Sequence, residues 1–285
     1  MSSASTTSRS TGSSGSTAIT TPSVAAPAAP APSATKDVND EGSKYPPIQP
    51  GGSLIIAWQI RNKPVLVVGG GHVAATRLVS LLNADAHIHV VCPRSGLCPE
   101  VQYRIKTQPS ITYHPQTFHP SLLESLQPSL VLTAIDDPAA SSSIYRLCHS
   151  LRIPVNVADV PPECDFYFGS VHRDGPLQVM VSTNGNGPKL ANLVRRRIAE
   201  SLPVGIGDAV VKVGQLRRRL RKVAPRIEDG NRRMEWMSRL CEQWTLKELC
   251  RLDDALIEEV LKGYQEGRVP RYRDVAPKEA VEEEA

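Results

Sequence analysis

The chain has 285 residues, 40% of them hydrophobic, and a formal net charge of +4 at pH 7. This length allows one or two domains, and the apolar content is sufficient for a packed core. No apolar run approaches the length of a membrane-spanning helix, and there is no secretory-type hydrophobic segment, which argues against an integral membrane protein. We therefore expect a soluble, cytoplasmic protein with no membrane partner.

The first 45 residues consist mostly of Ser, Thr, Ala and Pro. Such a segment cannot bury enough apolar surface to offset the entropy lost on ordering, so residues 1–45 are predicted to form a disordered tail. A transit peptide is the alternative, but such peptides are rich in Arg, and only Arg9 precedes Lys36 here. At the other end, residues 271–285 are predicted to form a solvated acidic tail.

Apolar strand patterns alternate with helical patterns between residues 64 and 158. Strands are predicted at 64–69, 86–92, 111–114, 129–135 and 153–158. Helices are predicted at 72–83, 121–126 and 138–151. This alternation is typical of an α/β domain, in which helices cover both faces of a parallel sheet. The sequence predicts such a domain over residues 46–165.

The pattern changes after this region. Residues 166–183 are predicted to form two strands around an Arg-Asp-Gly turn, which gives a hairpin-like extension. Helical patterns prevail from Pro188 onward, with breaks at 203–207, Pro225 and Gly230. We therefore expect a β extension over 166–187 and a helical domain over 188–270.

A glycine-rich motif follows the first predicted strand. Gly69, Gly71 and Ala74 have the spacing G-x-G-x-x-A between a strand and a helix. In dinucleotide-binding proteins the first glycine makes a tight turn, and the second lets the backbone approach a pyrophosphate at the positive end of the helix. A tight strand-to-helix turn without a ligand is the alternative.

One part of that fingerprint is missing. An acidic residue is expected about 20 positions on, where it would hold the ribose hydroxyl. The residues there are Cys92, Pro93 and Arg94, none of which is a carboxylate. Either backbone groups hold the ribose or Arg94 meets a 2′-phosphate, so the choice between NAD and NADP stays open.

Two further stretches have features of a ligand site. Asp159 follows a buried strand, at the sheet edge where ligands of open α/β sheets bind; a turn-forming or capping Asp is the alternative. Residues 182–197 combine a glycine-rich turn with a helix start at Pro188. This turn could cradle an anionic or ring-shaped ligand, or it could be a simple helix entry.

A basic run, LRRRLRK, covers residues 216–222. It is either a solvated helix face or a site for nucleic acid or a polyanionic small molecule. Aromatic residues make up 5% of the chain and none interleaves with this run, so we expect no nucleic-acid partner. The six cysteines show no CxxC spacing and the helical half contains no His, so no protein metal site is expected.

Five stretches together resemble a known family. They are GGGHVAATRL, TAIDDP, PVNVADVPPECDFYFGS, STNGNGPKLANLVRRRI and DAVVKVGQLRRRLRKVAP. They resemble the fungal bifunctional precorrin-2 dehydrogenase/sirohydrochlorin ferrochelatases, which are related to the N-terminal half of bacterial siroheme synthase. The resemblance covers roughly residues 54 to 265, in the same order, and omits both tails.

The resemblance implies an NAD-dependent oxidation of precorrin-2 to sirohydrochlorin, followed by insertion of ferrous iron to give siroheme. Iron would be a substrate delivered to the macrocycle's own nitrogens. The implied fold is a Rossmann domain, a dimerisation region and a helical C-terminal domain, and the implied assembly is a homodimer. The sequence ends before a methyltransferase domain of the kind found in trifunctional bacterial relatives, so precorrin-2 is expected from a separate enzyme.

The resemblance also implies roles for individual residues. Asp159 falls on a carboxylate considered important for both reactions. The cofactor-binding candidates are Gly69, Gly70, Gly71, His72, Val73, Cys92, Pro93 and Thr133. The candidates for binding the eight-carboxylate substrate are Asn156, Thr183, Asn184, Arg217 and Arg218.

Two alternatives to the bifunctional enzyme stay open. Some relatives only oxidise precorrin-2, and nothing in the residues excludes this here. A nicotinamide-binding redox sensor, with its basic helix on a partner or on nucleic acid, would keep the glycine loop. Such a sensor would have no need for Asp159 at the crevice edge.

Overall fold

A computed structural model describes residues 48–276 of the chain. The chain divides into two units between Gly51 and Gly52. Of the first unit, only residues 48–51 are described, and they include a turn at Pro50 and Gly51. The predicted disordered tail over 1–45 therefore lies outside the described residues.

A parallel sheet forms the first part of the second unit. Its elements are β1 (Pro64–Val68), α1 (His72–Leu82), β2 (His87–Val91), α2 (Pro99–Thr107), β3 (Ile111–His114), α3 (Ser121–Leu126), β4 (Leu130–Thr133), α4 (Pro138–Ser150) and β5 (Val155–Val157). All strand pairs are parallel, in the order β3-β2-β1-β4-β5. The order reverses between β1 and β4, which opens a crevice at the carboxyl ends of the strands. The predicted Rossmann-type sheet is confirmed.

The apolar strands are buried because helices cover both faces of the sheet. In β1, Val65 and Val67 face a core shared with α1, while Leu66 and Val68 face a second core shared with α4. Side chains alternate along a strand, so an unbroken apolar run supplies both cores at once. The sheet edge that carries the site is therefore held rigidly from two sides.

Helix α2 was not predicted from the sequence. It has Pro99 at its first turn, Glu100 near its start, and basic residues in its last turn, which are helix-terminal signals. Only Val101 is fully buried along it. The helix consequently lacks the repeated apolar spacing on which helix prediction depends.

A two-stranded antiparallel hairpin follows the sheet, as predicted. It consists of β6 (Ser170–Asp174) and β7 (Leu177–Val181), and α5 (Pro188–Ser201) packs against both strands. The strands are shorter than residues 166–183 because Phe166 and Phe168 pack against the core under α1 instead. The Arg173 guanidinium donates to the Asn83 carbonyl at 2.7 Å, which joins the hairpin to the end of α1.

The remaining helices form a core of their own. They are α6 (Ile206–Val223), α7 (Gly230–Gln243), α8 (Leu246–Cys250), α9 (Asp254–Gln265) and α10 (Tyr272–Val275). Leu216, Leu220, Leu240 and Ile257 are fully buried at its centre. Pro225 lies between α6 and α7, whereas the predicted breaks at 203–207 and Gly230 overlap the first residues of α6 and α7.

The acidic tail was predicted to begin at residue 271, and the structure describes residues 271–276 of that stretch. Tyr272 is buried, and its ring packs edge-on against Trp244 at 5.2 Å between centroids. The Trp244 indole also donates to the Pro270 carbonyl at 3.0 Å. The apolar residues of this stretch therefore extend the helical core through α10, while residues 277–285 lie outside the described part.

Between residues 48 and 276, no helix is both long and apolar enough to span a bilayer.

Candidate active site

The loop after β1 has the backbone of a phosphate-binding turn. Gly69 has φ of 119°, and a Cβ built there would lie 2.1 Å from the Ala134 carbonyl oxygen. A Cβ at Gly71 would meet nothing within 4 Å. Gly69 is thus required by the fold itself, whereas Gly71 leaves open space in front of the backbone, as a ligand would require.

The N-terminus of α1 is open to an anion. Gly71 caps the helix without a side-chain hydrogen bond, and the first turn contains no acidic residue. His72 and Val73 in that turn are exposed. The first N–H groups of a helix have no partner within the helix and carry a partial positive charge, so this end suits a pyrophosphate.

The other predicted cofactor residues surround this loop. Cys92 packs under Gly70, with its sulfur 2.9 Å from the position of a Cβ built there. Burial raises the pKa of the Cys92 thiol, so the group is uncharged at neutral pH. Pro93 and Cys92 line a cavity of about 450 Å³ together with Gly69.

Thr133 is the last residue of β4, in register with Val68 of β1. Its hydroxyl is buried and has no hydrogen-bond partner in the described part of the chain. An unpaired buried hydroxyl at the carboxyl edge of the sheet is a free donor and acceptor for a ligand. The glycine loop, the helix end and this hydroxyl together fit a dinucleotide.

Changing Gly71 to Asp tests this assignment. The side chain has room, so the fold should persist, but a carboxylate would stand where the pyrophosphate binds. We expect NAD affinity to fall about tenfold or more, equivalent to about 1.4 kcal/mol. Calorimetric titration of NAD measures it, with Gly71→Ala as the uncharged control. Unchanged NAD binding by a folded Asp variant would exclude this loop from the site.

A second cavity, of about 410 Å³, lies beside the carboxyl end of β5. We call it the β5 crevice. Its walls are the segment after β5, the end of β7 with the following turn, the start of α5, and one side chain from α1. Asn156, Asp159 and Thr183 all line it, so the fold brings three predicted site residues to one place.

Asp159 is the exposed acid of this crevice. Its backbone has φ of 61°, in the left-handed region. No hydrogen bond or ion pair to its carboxylate is formed by any residue in the described range. By contrast, Asp137 caps α4 through a 3.0 Å bond from the Ala140 N–H. Asp159 therefore caps no helix, but it lies in a turn at residues 158–159, so the turn-forming alternative stays open.

The two neighbouring acids have structural partners. Glu163 accepts a hydrogen bond from the Ser142 hydroxyl at 2.7 Å, which directs it toward α4. Asp165 accepts from the Val155 N–H at 2.9 Å and holds the start of β5. Asp159 is thus the acid left available to a ligand in this segment.

The polar residues predicted to bind substrate also stabilise the walls. The Asn156 amide donates to the Phe166 carbonyl at 2.8 Å, and the Thr183 hydroxyl accepts from the Gly187 N–H at 3.1 Å. Asn184, at the tip of the same turn, accepts from the Ser53 N–H at 3.2 Å. Asn184 is not on the crevice wall, unlike the other two.

Arg77 lines the β5 crevice and was not among the predicted site residues. It lies on α1, one residue before buried Leu78 and three after buried Ala74. A charged residue next to the apolar face of a helix is the sequence signal that could have identified it, because burying a charge is costly unless the charge is paired.

The structure does not bring Arg217 and Arg218 into the β5 crevice. Arg217 lines a separate cavity of about 540 Å³ between α6 and α7, together with Arg221 and Met234. Within residues 48–276 neither Arg217 nor Arg218 forms an ion pair, whereas Arg219 contacts Asp254 and Glu258 at 2.6 Å each. The basic run thus divides into a paired residue and unpaired ones.

No three His, Cys, Asp or Glu side chains in residues 48–276 are arranged to hold a metal ion. All six cysteines are free.

Three family models match consecutive parts of the chain. A putative NAD(P)-binding model matches residues 56–170, a sirohaem biosynthesis protein central model matches 174–201, and the corresponding C-terminal model matches 203–270. The first match and the glycine loop agree on a nicotinamide dinucleotide as cofactor. A solved structure titled SirC, precorrin-2 dehydrogenase shares the fold, with a TM-score of 0.52 and 18% identity over 75% of this chain and 96% of its own.

Two fungal relatives that are matched over most of their length identify the family. A siroheme biosynthesis protein of Schizosaccharomyces pombe is 53% identical over 82% of this chain and 87% of its own length. The siroheme biosynthesis protein of Saccharomyces cerevisiae is 30% identical over 70% of this chain and 86% of its own length. The siroheme synthase of Hydrogenovibrio crunogenus is 33% identical, and the match covers 37% of its length. The chain belongs to the siroheme biosynthesis protein family.

Proposed function

We propose that this protein oxidises precorrin-2 to sirohydrochlorin with NAD and then inserts ferrous iron to give siroheme. The observation that carries the proposal is the unpartnered Asp159 carboxylate, in a crevice at the same sheet edge as the glycine loop. The names of the fungal relatives, both siroheme biosynthesis proteins, support the pathway.

Residues Gly69 to Val73, with Cys92, Pro93 and Thr133, would hold the dinucleotide. When bound, NAD supplies the hydride acceptor for the oxidation. We assign NAD on the basis of the family resemblance. Affinity for NADP should be measured beside it, because exposed Arg94 follows β2 and suits a 2′-phosphate.

Asp159 would serve as the proton acceptor of both steps. Oxidation of precorrin-2 removes a hydride and a proton, and metallation removes two protons from the pyrrole nitrogens as ferrous iron enters. A positioned carboxylate can accept such protons and pass them to water. The exposed position of Asp159 gives it contact with solvent, so it can be reset between steps.

We also propose that the protein is a cytoplasmic homodimer. Helix α5 presents Leu190, Leu193 and Val194 to solvent, 58%, 46% and 41% exposed. Apolar side chains grouped on one helix are typical of an interface. The hairpin beneath α5 lies in the predicted dimerisation region, 166–187. The bounds of this region, of the dinucleotide domain over 46–165 and of the helical domain over 188–270 stay predictions. Sedimentation equilibrium measures the assembly.

The basic helix would attract the tetrapyrrole from a distance. Arg217 and Arg218 are unpaired, and their charges act on a ligand with eight carboxylates even outside the β5 crevice. Replacing both by Ala should lower apparent substrate affinity a few fold at low salt and less at high salt, because ions screen exposed charges. Arg239→Ala is the control, since its guanidinium is already paired with Glu235 at 3.0 Å. Equal affinity at low salt would leave this run as a solvated face.

The test of the proposed function is to supply precorrin-2, NAD and ferrous iron and follow the visible spectrum. Siroheme formation is expected. Sirohydrochlorin accumulating in the presence of iron would reduce the function to the dehydrogenase. No spectral change, with a positive mobility shift on duplex DNA, would favour the redox sensor.

A further inference from the structure

Arg77 projects from α1 into the wall of the β5 crevice. Its guanidinium lies over the face of the Phe168 ring, 4.2 Å from the ring centre. The same α1 begins at the glycine loop, about one and a half turns earlier. Arg77 is therefore the side chain that connects the cofactor helix to the crevice containing Asp159.

Arg77 has no hydrogen-bond or ion-pair partner among the described residues. Its Nε is buried and unpaired, and the side chain lines the crevice. Placing a guanidinium in a partly buried position without a partner is costly, and such groups are normally paired. A carboxylate of a ligand bound in the crevice would supply such a partner.

Burial lowers the pKa of Arg77, and the electrostatic influence of Cys164 and Asp159 opposes this. An Arg side chain nevertheless stays charged near neutral pH, because its ordinary pKa lies far above neutrality. The crevice thus holds a permanent cation near the Asp159 carboxylate, which itself has no ion-pair partner.

We infer that Arg77 binds a peripheral carboxylate of the tetrapyrrole and fixes which edge of the macrocycle faces Asp159. This inference rests on the proposed function. A guanidinium stacked on a ring keeps its N–H groups directed outward in a fork, which matches a carboxylate. With one carboxylate held by Arg77, the position of the macrocycle relative to the proton acceptor is set.

The experiment measures binding of sirohydrochlorin and of its fully methyl-esterified form by absorbance titration. The variants are Arg77→Gln, which keeps a polar planar group but removes the charge, and Arg77→Lys, which keeps the charge but removes the fork. Arg104→Gln is the control for loss of a charge outside the crevice, although Arg104, unlike Arg77, is paired with Glu100 at 3.3 Å. The Arg104 side chain also approaches a ring, that of Tyr103 at 5.9 Å, and has an unpaired buried Nε, but it lies on α2 outside the crevice.

For Arg77→Gln we expect sirohydrochlorin affinity to fall about tenfold or more, because charge-assisted pairs are about twice as strong as neutral ones. Arg77→Lys should show a smaller loss. Both Arg77 variants should keep the affinity of the unaltered protein for the ester and for NAD. Their thermal midpoints should match that of Arg104→Gln. If Arg77→Gln does not fold, the affinities of Arg77→Lys for sirohydrochlorin and for its methyl ester test the assignment in the same way.

Unchanged sirohydrochlorin affinity would overturn the assignment, as would an equal loss for the ester, which would make Arg77 a structural residue. A loss of NAD affinity alone would move Arg77 to the cofactor site and also overturn it. Failure of the unaltered protein to bind sirohydrochlorin would instead reject the proposed function on which the assignment rests.

Discussion

Replacing Asp159 by Asn is expected to lower the rates of both dehydrogenation and chelation by about 10²- to 10⁴-fold, the range for a positioned general base. A carboxamide cannot accept the proton that either step releases. Asn adopts the left-handed backbone readily, so the turn should be kept. Single-turnover assays with precorrin-2 and NAD, and with sirohydrochlorin and ferrous iron, measure the two steps separately.

Glu163→Gln is the control for that experiment. Glu163 is four residues away but bonded to Ser142, so its replacement should leave both rates near those of the unaltered protein. Loss of chelation alone in Asp159→Asn would show that the hydride step has no need of this base. Retention of both activities would make Asp159 a turn residue.

Gly69→Ala is expected to lower the free energy of unfolding by about 3 kcal/mol or more. The left-handed backbone costs a side-chain-bearing residue about 1–3 kcal/mol. In addition, the new Cβ would lie 2.1 Å from the Ala134 carbonyl oxygen, which belongs to the backbone and not to a flexible side chain. Urea denaturation followed by circular dichroism measures the loss.

Gly71→Ala is the matched control for stability. Its backbone has φ of −78°, and its Cβ would enter open space. A change below about 1 kcal/mol is therefore expected, since Gly-to-Ala at a compatible position mainly affects the unfolded chain. Similar destabilisation of the two variants would contradict the distinct roles of the two glycines.

The sheet could be predicted because its strands are apolar on both faces and each ends at a turn signal, as β1 does at Gly69. The hairpin could be predicted because Arg-Asp-Gly interrupts two β-prone runs. Helix α2 could not, since only Val101 is fully buried along it. Tyr272 was assigned to the tail because its burial depends on Trp244, almost thirty residues earlier, and local pattern does not show such contacts.

For the site, position along the chain identified Asp159, but only the three-dimensional arrangement separates it from Glu163 and Asp165. Those two acids have hydrogen-bond partners that the sequence does not reveal. Arg77 was missed for the same reason, because its place in the crevice depends on how Phe168 folds back under α1. Conversely, Arg217 has the charge expected of a carboxylate ligand but lines another cavity.

The ring of Phe168 under Arg77 belongs to an aromatic row that continues outward. Phe166 contacts Phe168 at 5.8 Å between centroids, and Trp58, before β1, contacts Phe166 at 5.6 Å. The other two tryptophans, Trp236 and Trp244, are buried in the helical core. Trp58 is therefore an intrinsic fluorophore for the crevice, because a tetrapyrrole bound there absorbs its emission at short range. A Trp58→Phe variant retains only the emission of the other two tryptophans. Subtracting that emission from the emission of the unaltered protein isolates the signal of Trp58.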